Sequence, residues 1–386
     1  MTTILRAANL DTHSIPLLRP LLPPVERLLP YLKRIDTNRI YTNHGPLVRE
    51  FEQRLHRALG QDAIRLATAS SGTLALEAAI MATAPRTDDR PLAVMPSFTF
   101  AATALAAERC GYIPYFVDID PGSWMLDPAI LAAHPLCDRV GLVVPVAPFG
   151  RAVAHAPWMA FTRETGVPVV IDAAGSFSQI FDHSEHHVGP IPVVTSLHAT
   201  KGFSSGEGGL LLSTDDELIR RCVRFLNFGF YGSRESVSAG TNGKMSEFHA
   251  AVGLAELDGW PEKRQQFLAV ADTYRHTATN HGLEDRLFTV PDVGISYVIL
   301  EARTFEESAR IRSQLESKSI GSRLWYGNGL HLHAHFAHAP RDDMEQTGKI
   351  ATRMIGLPMA PDLTPCQISR VMAVAAAFRS VDAVQG

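Results

Sequence analysis

The chain has 386 residues, 46% of them hydrophobic, with 36 basic against 40 acidic side chains and a formal net charge of −4. That length predicts two domains, or one large domain with an appendage, and the apolar share is ample for a core. With no basic block the charge balance offers nothing to a nucleic acid, and the four scattered cysteines (Cys110, Cys137, Cys222 and Cys366) form neither a CxxC pair nor a disulfide framework, which fits a reducing cytoplasm.

The N-terminal stretch MTTILRAANLDTHSIP lacks a charged region followed by an apolar core, so no secretory signal is expected. No apolar run nears the roughly 20 residues that a bilayer span needs, so no membrane association is expected either. Prolines at 16, 20, 23, 24 and 30 mark residues 1–40 as an arm with one short helix over 25–35. A turn at Thr42-Asn43-His44-Gly45-Pro46 precedes an amphipathic helix over 47–59, apolar at Val48, Phe51, Leu55 and Leu59. Strand and helix patterns then alternate. Strands are expected over 64–67, 92–95, 114–117, 140–146, 167–172 and 193–197, and helices over 73–82, 99–110 and 156–165. This alternation predicts an α/β domain with a mainly parallel sheet covered on both faces, and ligands at the carboxyl ends of its strands. A long helix over 246–280, interrupted near Pro261, leads into a smaller α+β unit. Its strands are expected over 295–301 and 322–325, and its helices over 305–318 and 365–379. The organisation expected is an arm (1–40), a large domain (41–255) and a small C-terminal domain (256–386), with no internal repeat.

Several motifs fall at strand ends. Lys201 sits where the apolar run ending in Ser196-Leu197 opens into a glycine-rich turn, before a second apolar run at 210–212. It reads either as a solvated loop lysine or as a nucleophile held near a carbonyl, which requires surroundings that disfavour the ammonium form. Ser70-Ser71-Gly72-Thr73 lies between a strand and a helix. It suits a phosphate cup, with glycine allowing close approach and hydroxyls on Ser71 and Thr73, and equally a plain helix N-cap. Asp172 ends the buried run Val169-Val170-Ile171. A carboxylate there must be paired, and it either caps the next turn or meets a protonated heteroaromatic nitrogen. In Pro96-Ser97-Phe98-Thr99-Phe100 an aromatic can stack on such a ring or fill the core. His331, His333, His335 and His338 alternate but have no carboxylate or cysteine at familiar spacing, so no metal is expected. No GxGxxG opens the first strand–helix turn, which argues against a nicotinamide dehydrogenase.

Taken in order, SSGTLAL, PSFTFAATA, FVDIDPGSWMLDP, PVAPFGR, VVIDAAG, SLHATKGFSSGEGG, TNGKMSEFHAAVGL and LPMAP make the chain resemble the DegT/StrS-like sugar-nucleotide aminotransferases of PLP fold type I, over nearly its whole length. The resemblance implies the fold-type I architecture, pyridoxal 5'-phosphate as cofactor, and amino transfer, with glutamate as donor, to the keto-sugar of a nucleoside diphosphate. Lys201 matches the Schiff-base lysine and Asp172 the carboxylate facing the pyridine nitrogen. Gly72 and Thr73 match the phosphate cup, Ser196 a phosphate-binding serine, and Phe100 the aromatic that stacks on the ring. Asn242 matches an asparagine lent by the neighbouring subunit, which implies a homodimer with shared sites. His198 matches a histidine near the cofactor. Tyr326, Asn328 and His331 lie in a late loop that either approaches the substrate or simply builds the small domain. One departure stands out: where many relatives carry Gln or His three residues after the aspartate, this chain has Gly175. A non-nucleotide keto substrate, a dehydratase, and a non-catalytic binding or regulatory protein on the same fold are the alternatives. The intact lysine weighs against a dehydratase.

Overall fold

A computed structural model describes residues 14–290, 293–294 and 296–377. The large domain is built on seven strands: β1 (Arg65–Ala69), β2 (Leu92–Pro96), β3 (Ile113–Val117), β4 (Val140–Val143), β5 (Ile171–Asp172), β6 (Val193–Ser196) and β7 (Gly209–Ser213). β3, β2 and β4 form one parallel ladder, and β5 runs parallel to β6. β6–β7 and β7–β1 are antiparallel. Isolated bridges Val143–Val169 and Val146–Asp172 join the two groups, giving the order β3-β2-β4-β5-β6-β7-β1. Pro145 and Pro168 lie at this seam. Each lacks an N–H, so the expected strands over 140–146 and 167–172 shorten there. Four backbone bonds still cross it, among them Ala147 N to Asp172 O (2.8 Å) and Asp172 N to Pro145 O (2.9 Å).

Strands β2 and β7 are buried at every position, because helices cover both faces. Their side chains alternate between two cores. Met95, Val194 and Leu211 face α3 (Gly72–Thr83), α4 (Ala101–Arg109) and α9 (Asp216–Leu226). Val94, Val193 and Leu212 face α2 (Pro46–Leu59), α6 (His155–Thr165) and α10 (Glu247–Asn280). The α3 face is rich in alanine (Ala75, Ala78, Ala79), which lets that helix lie close to the sheet. Short helices α5 (Pro128–Ala132), α7 (Phe177–Asp182) and α8 (Ser184–His187) fill the connections.

In the small domain β8 (Leu287–Phe288), β9 (Val298–Glu301), β10 (Arg323–Leu324) and β11 (Met354–Leu357) form an antiparallel sheet in the order β10-β11-β9-β8. α11 (Phe305–Ser317), α13 (Pro365–Ala376) and the second half of α10 close its core around Tyr274, Leu300, Ile311 and Val371; α12 (Glu345–Ala351) precedes β11.

The arm helix α1 (Val25–Asn38) is longer than expected and contains Pro30. α10 is one continuous helix through Pro261, not an interrupted one. The proline is exposed, so water can take the carbonyl that its missing N–H leaves free. Residues 15–18 of the arm bridge to the small domain at Ile15–Ile320 and Leu18–Met359. Lys263 of α10 then donates to the Leu21 carbonyl (2.6 Å) and to Glu256 (2.6 Å). Residue 295 and the end of the helix expected over 365–379 lie outside the described residues. Among the described residues no helix is long and apolar enough to cross a membrane.

Candidate active site

Asp172 closes β5 at the carboxyl end of the sheet and is 7% exposed. Its Oδ2 accepts from Thr103 Oγ1 (2.8 Å) and its Oδ1 from the Ala174 N–H (3.1 Å). Thr103 in turn meets Thr99 Oγ1 at 2.8 Å. Burial pushes the carboxyl upward from its ordinary range. The two donors and the field of Lys201 oppose that shift. The arrangement is a buried acid whose hydrogen-bonded donors are neutral, which leaves it a fitting partner for a protonated ring nitrogen.

β6 ends at Ser196, and the loop 197–208 folds back into β7 through the Leu197 N to Gly208 O bond (2.9 Å). Lys201 sits on this loop, its N–H bonded to the His198 carbonyl (2.9 Å). Its Nζ donates to the Tyr297 hydroxyl (3.0 Å). Beside Ser196 lies the N-terminus of α3. Ser71 caps it, accepting from the Leu74 N–H (3.2 Å), and the preceding N–H groups have no acceptor within the helix. A Cβ on Gly72 would stand 2.9 Å from Ser196 Cβ, and one on Gly209 2.4 Å from the Ser71 carbonyl oxygen. Two glycines therefore let a helix N-terminus close on the end of β6, which makes an anion cradle with Ser196 on its rim.

The other expected residues take varied places. Phe98 and Phe100 separate: Phe98 is buried against Phe149 and Tyr326, whereas Phe100, at the N-cap of α4, is 67% exposed. His198 is tied to its own loop, its Nδ1 accepting from the Thr200 N–H (3.2 Å) and its Nε2 lying 3.6 Å from Glu207. Asn242 is exposed and accepts from Lys244 Nζ (2.7 Å). The neighbouring Gly243 carbonyl receives the Ser70 N–H (2.7 Å) beside the cradle. Tyr326 stacks on Phe149 (5.2 Å between ring centres). Burial, with Tyr297 and Asp172 nearby, pushes its hydroxyl strongly up. His331 is buried and bonds Ser97 Oγ through Nδ1 (2.7 Å); desolvation pushes its imidazole down. Since Ser97 Oγ also accepts the His331 N–H (3.1 Å), His331 clasps the late loop onto the end of β2. The alternating histidines diverge, with His335 meeting Glu108 (2.8 Å). Among the described residues no group of three or more His, Cys, Asp or Glu could hold a metal ion.

Two residues at the site escaped the sequence reading. Thr103 carried one faint signal, its position one helical turn after Thr99. Tyr297 carried none, because its place beside Lys201 depends on how the two domains pack. Its ring rests on Gly175, where a Cβ would lie 3.1 Å from Tyr297 Cε2.

Buried carboxylate, lysine amine, glycine-built anion cradle and exposed aromatic together fit a phosphorylated pyridine aldehyde. Comparison with known proteins agrees. Residues 25–375 match the model of the DegT/DnrJ/EryC1/StrS aminotransferase family. Protein Rv3402c of Mycobacterium tuberculosis (strain ATCC 25618 / H37Rv) is 32% identical over 370 residues, covering 93% of this chain and 89% of that protein. A crystal structure from Bacillus cereus ATCC 10987, assigned as a PLP-dependent aminotransferase, is 32% identical with a TM-score of 0.84, covering 94% of this chain and 99% of that one. DesI, crystallised in the presence of its TDP-sugar product, is 28% identical with a TM-score of 0.81, covering 96% of this chain and 95% of that one.

Proposed function

Since the chain belongs to the DegT/DnrJ/EryC1/StrS aminotransferase family and is a PLP-dependent aminotransferase of fold type I, we propose that it transfers an amino group, from glutamate, to the keto-sugar of a nucleoside diphosphate. The observation that carries the reading is the pairing of Lys201 with the buried Asp172 at adjoining strand ends, beside the α3 cradle. The sugar-nucleotide half rests on the family and on the TDP-sugar product of DesI.

Pyridoxal phosphate supplies an aldehyde that condenses with amines and a ring that withdraws electrons from the carbon beside the nitrogen. Lys201 would anchor the aldehyde carbon, and its free Nζ would carry the proton to and from the donor's α-carbon. Asp172 would keep the ring nitrogen protonated. The N-terminal N–H groups of α3, the Thr73 hydroxyl and Ser196 Oγ would hold the phosphate, and Gly72 would give it room. Phe100 would stack on the ring. Asn242 reaches the partner subunit's site in a homodimer, the expected working unit, with Phe228 and Tyr231 among the exposed apolar side chains near it in sequence. His198, Tyr326 and His331 are the proposed substrate contacts, His331 through Nε2 alone because its Nδ1 bonds Ser97 Oγ.

The test is an absorption spectrum of the purified protein before and after glutamate. A band at about 420 nm that moves to about 330 nm with glutamate, and returns with a nucleotide-linked keto-sugar, is expected. Lys201→Ala should cut turnover at least about 10³-fold while retaining bound cofactor. A band that ignores glutamate would shift the donor assignment. A protein that forms no band with added PLP would overturn the Lys201 role.

A further inference from the structure

We propose that Tyr297 is the positioning residue for Lys201: its hydroxyl holds the lysine amine at the reacting carbon whenever that amine is not bonded to the cofactor. The inference rests on the reading that Lys201 anchors the cofactor. Lys201 Nζ lies 3.0 Å from the Tyr297 hydroxyl and makes no other hydrogen bond among the described residues. A lysine side chain has many rotamers to choose from, so an amine released on a free four-carbon stem would spend little of its time in place. A tyrosine hydroxyl both donates and accepts, so it grips the ammonium and the neutral amine alike and need not itself change protonation state.

The ring is fixed on three sides. It stands edge-on to Trp325 (5.3 Å between ring centres), is tilted against Phe149 (6.2 Å), and lies flush on Gly175. Any side chain at 175 would meet it: a Cβ there falls 3.1 Å from Cε2 and 3.4 Å from the hydroxyl oxygen. The bare glycine is thus the socket that admits the tyrosine. Tyr297 precedes β9 of the small domain and Lys201 follows β6 of the large one, so the hydrogen bond joins the two domains at the reacting nitrogen.

The test compares wild type with Tyr297→Phe, which keeps the ring and loses only the hydroxyl, and with Gly175→Ala, which keeps the hydroxyl and crowds the ring. Cofactor-free protein is mixed with pyridoxal phosphate and quenched with borohydride at intervals, and the mass added to the Lys201 peptide is measured. Steady-state kcat and KM for the amino donor are measured in parallel. Both variants should capture cofactor on Lys201 about tenfold more slowly and lose about tenfold in kcat, with KM within about threefold of wild type. Tenfold corresponds to one lost hydrogen bond of ordinary to charge-assisted strength. Capture and kcat in Tyr297→Phe within twofold of wild type would reduce Tyr297 to packing and overturn the proposal. Wild type that captures nothing on Lys201 would sink the cofactor assignment and this proposal together. Normal wild-type capture with an unaltered Tyr297→Phe sinks this proposal alone.

Discussion

Asp172 is held where the cofactor-free protein bears a cost. Its carboxyl has an ordinary value of 3.8 and is pushed above it by burial. Between those two values the native state binds a proton that the unfolded state has already released. Stability therefore falls as pH rises through that window, and above it the full cost of burying the charge is present. Asp172→Asn removes that cost. The cofactor-free variant should melt about 2–4 °C higher than wild type at pH 7 and show a flatter dependence of Tm on pH between 4 and 7, while kcat falls about 10²-fold or more. Thermal melts across that pH range, alongside turnover, check it. Lys201, Asp172 and Gly72 were legible because each is a residue type whose chemistry is conspicuous at the end of an apolar run. Thr103 and Tyr297 were not, since an ordinary threonine and an ordinary tyrosine acquire their roles only from what the fold sets opposite them.

Elements were legible where burial dictates a period. The runs that became β2, β6 and β7 carry apolar stretches and are buried at every position, and α2 shows a clear apolar stripe. The antiparallel sense of β7 was not legible, because hydrophobicity carries no direction. Nor were β8 and β11, two and four residues long, or the seam that shortens β5 to two residues. The arm shows how an element is held by something other than its own pattern. Glu256 and Lys263 are 3% and 9% exposed, and the lysine also grips the Leu21 carbonyl. Burial pushes the Glu256 carboxyl up, and Lys263 draws it back. Lys263→Met strands the carboxylate and should cost about 3–5 kcal/mol in denaturant unfolding. It should also expose residues 19–24 to limited proteolysis. Adding Glu256→Leu should recover most of the stability but leave the arm loose, since the carbonyl clasp is still missing.

At the scale of the whole molecule, the site draws on two domains and, in the proposed dimer, on two chains. If Asn242 serves the partner's site, each of Lys201→Ala and Asn242→Ala is defective alone. Refolding the two together should then recover activity. In a mixed dimer one site collects both lesions and the other none. Random pairing therefore predicts about a quarter of wild-type turnover. Mixed turnover no greater than the mean of the two parents would place Asn242 in its own chain's site. The late loop is shaped in the same way within one chain: His331 gives its Nδ1 and its backbone N–H to Ser97, a clasp that only the packed molecule reveals, and keeps Nε2 for the substrate.

The seam between β4 and β5 gives this sheet a grain. Two ladders, β3-β2-β4 and β5-β6-β7-β1, can each open and close as a cooperative unit, with only a few backbone bonds between them. Asp172 belongs to one ladder. Thr103, which holds its carboxylate, rides on α4 against the other. Whatever occupies the space in front of Asp172 therefore acts as a rivet across that seam, and the protein without it should loosen there.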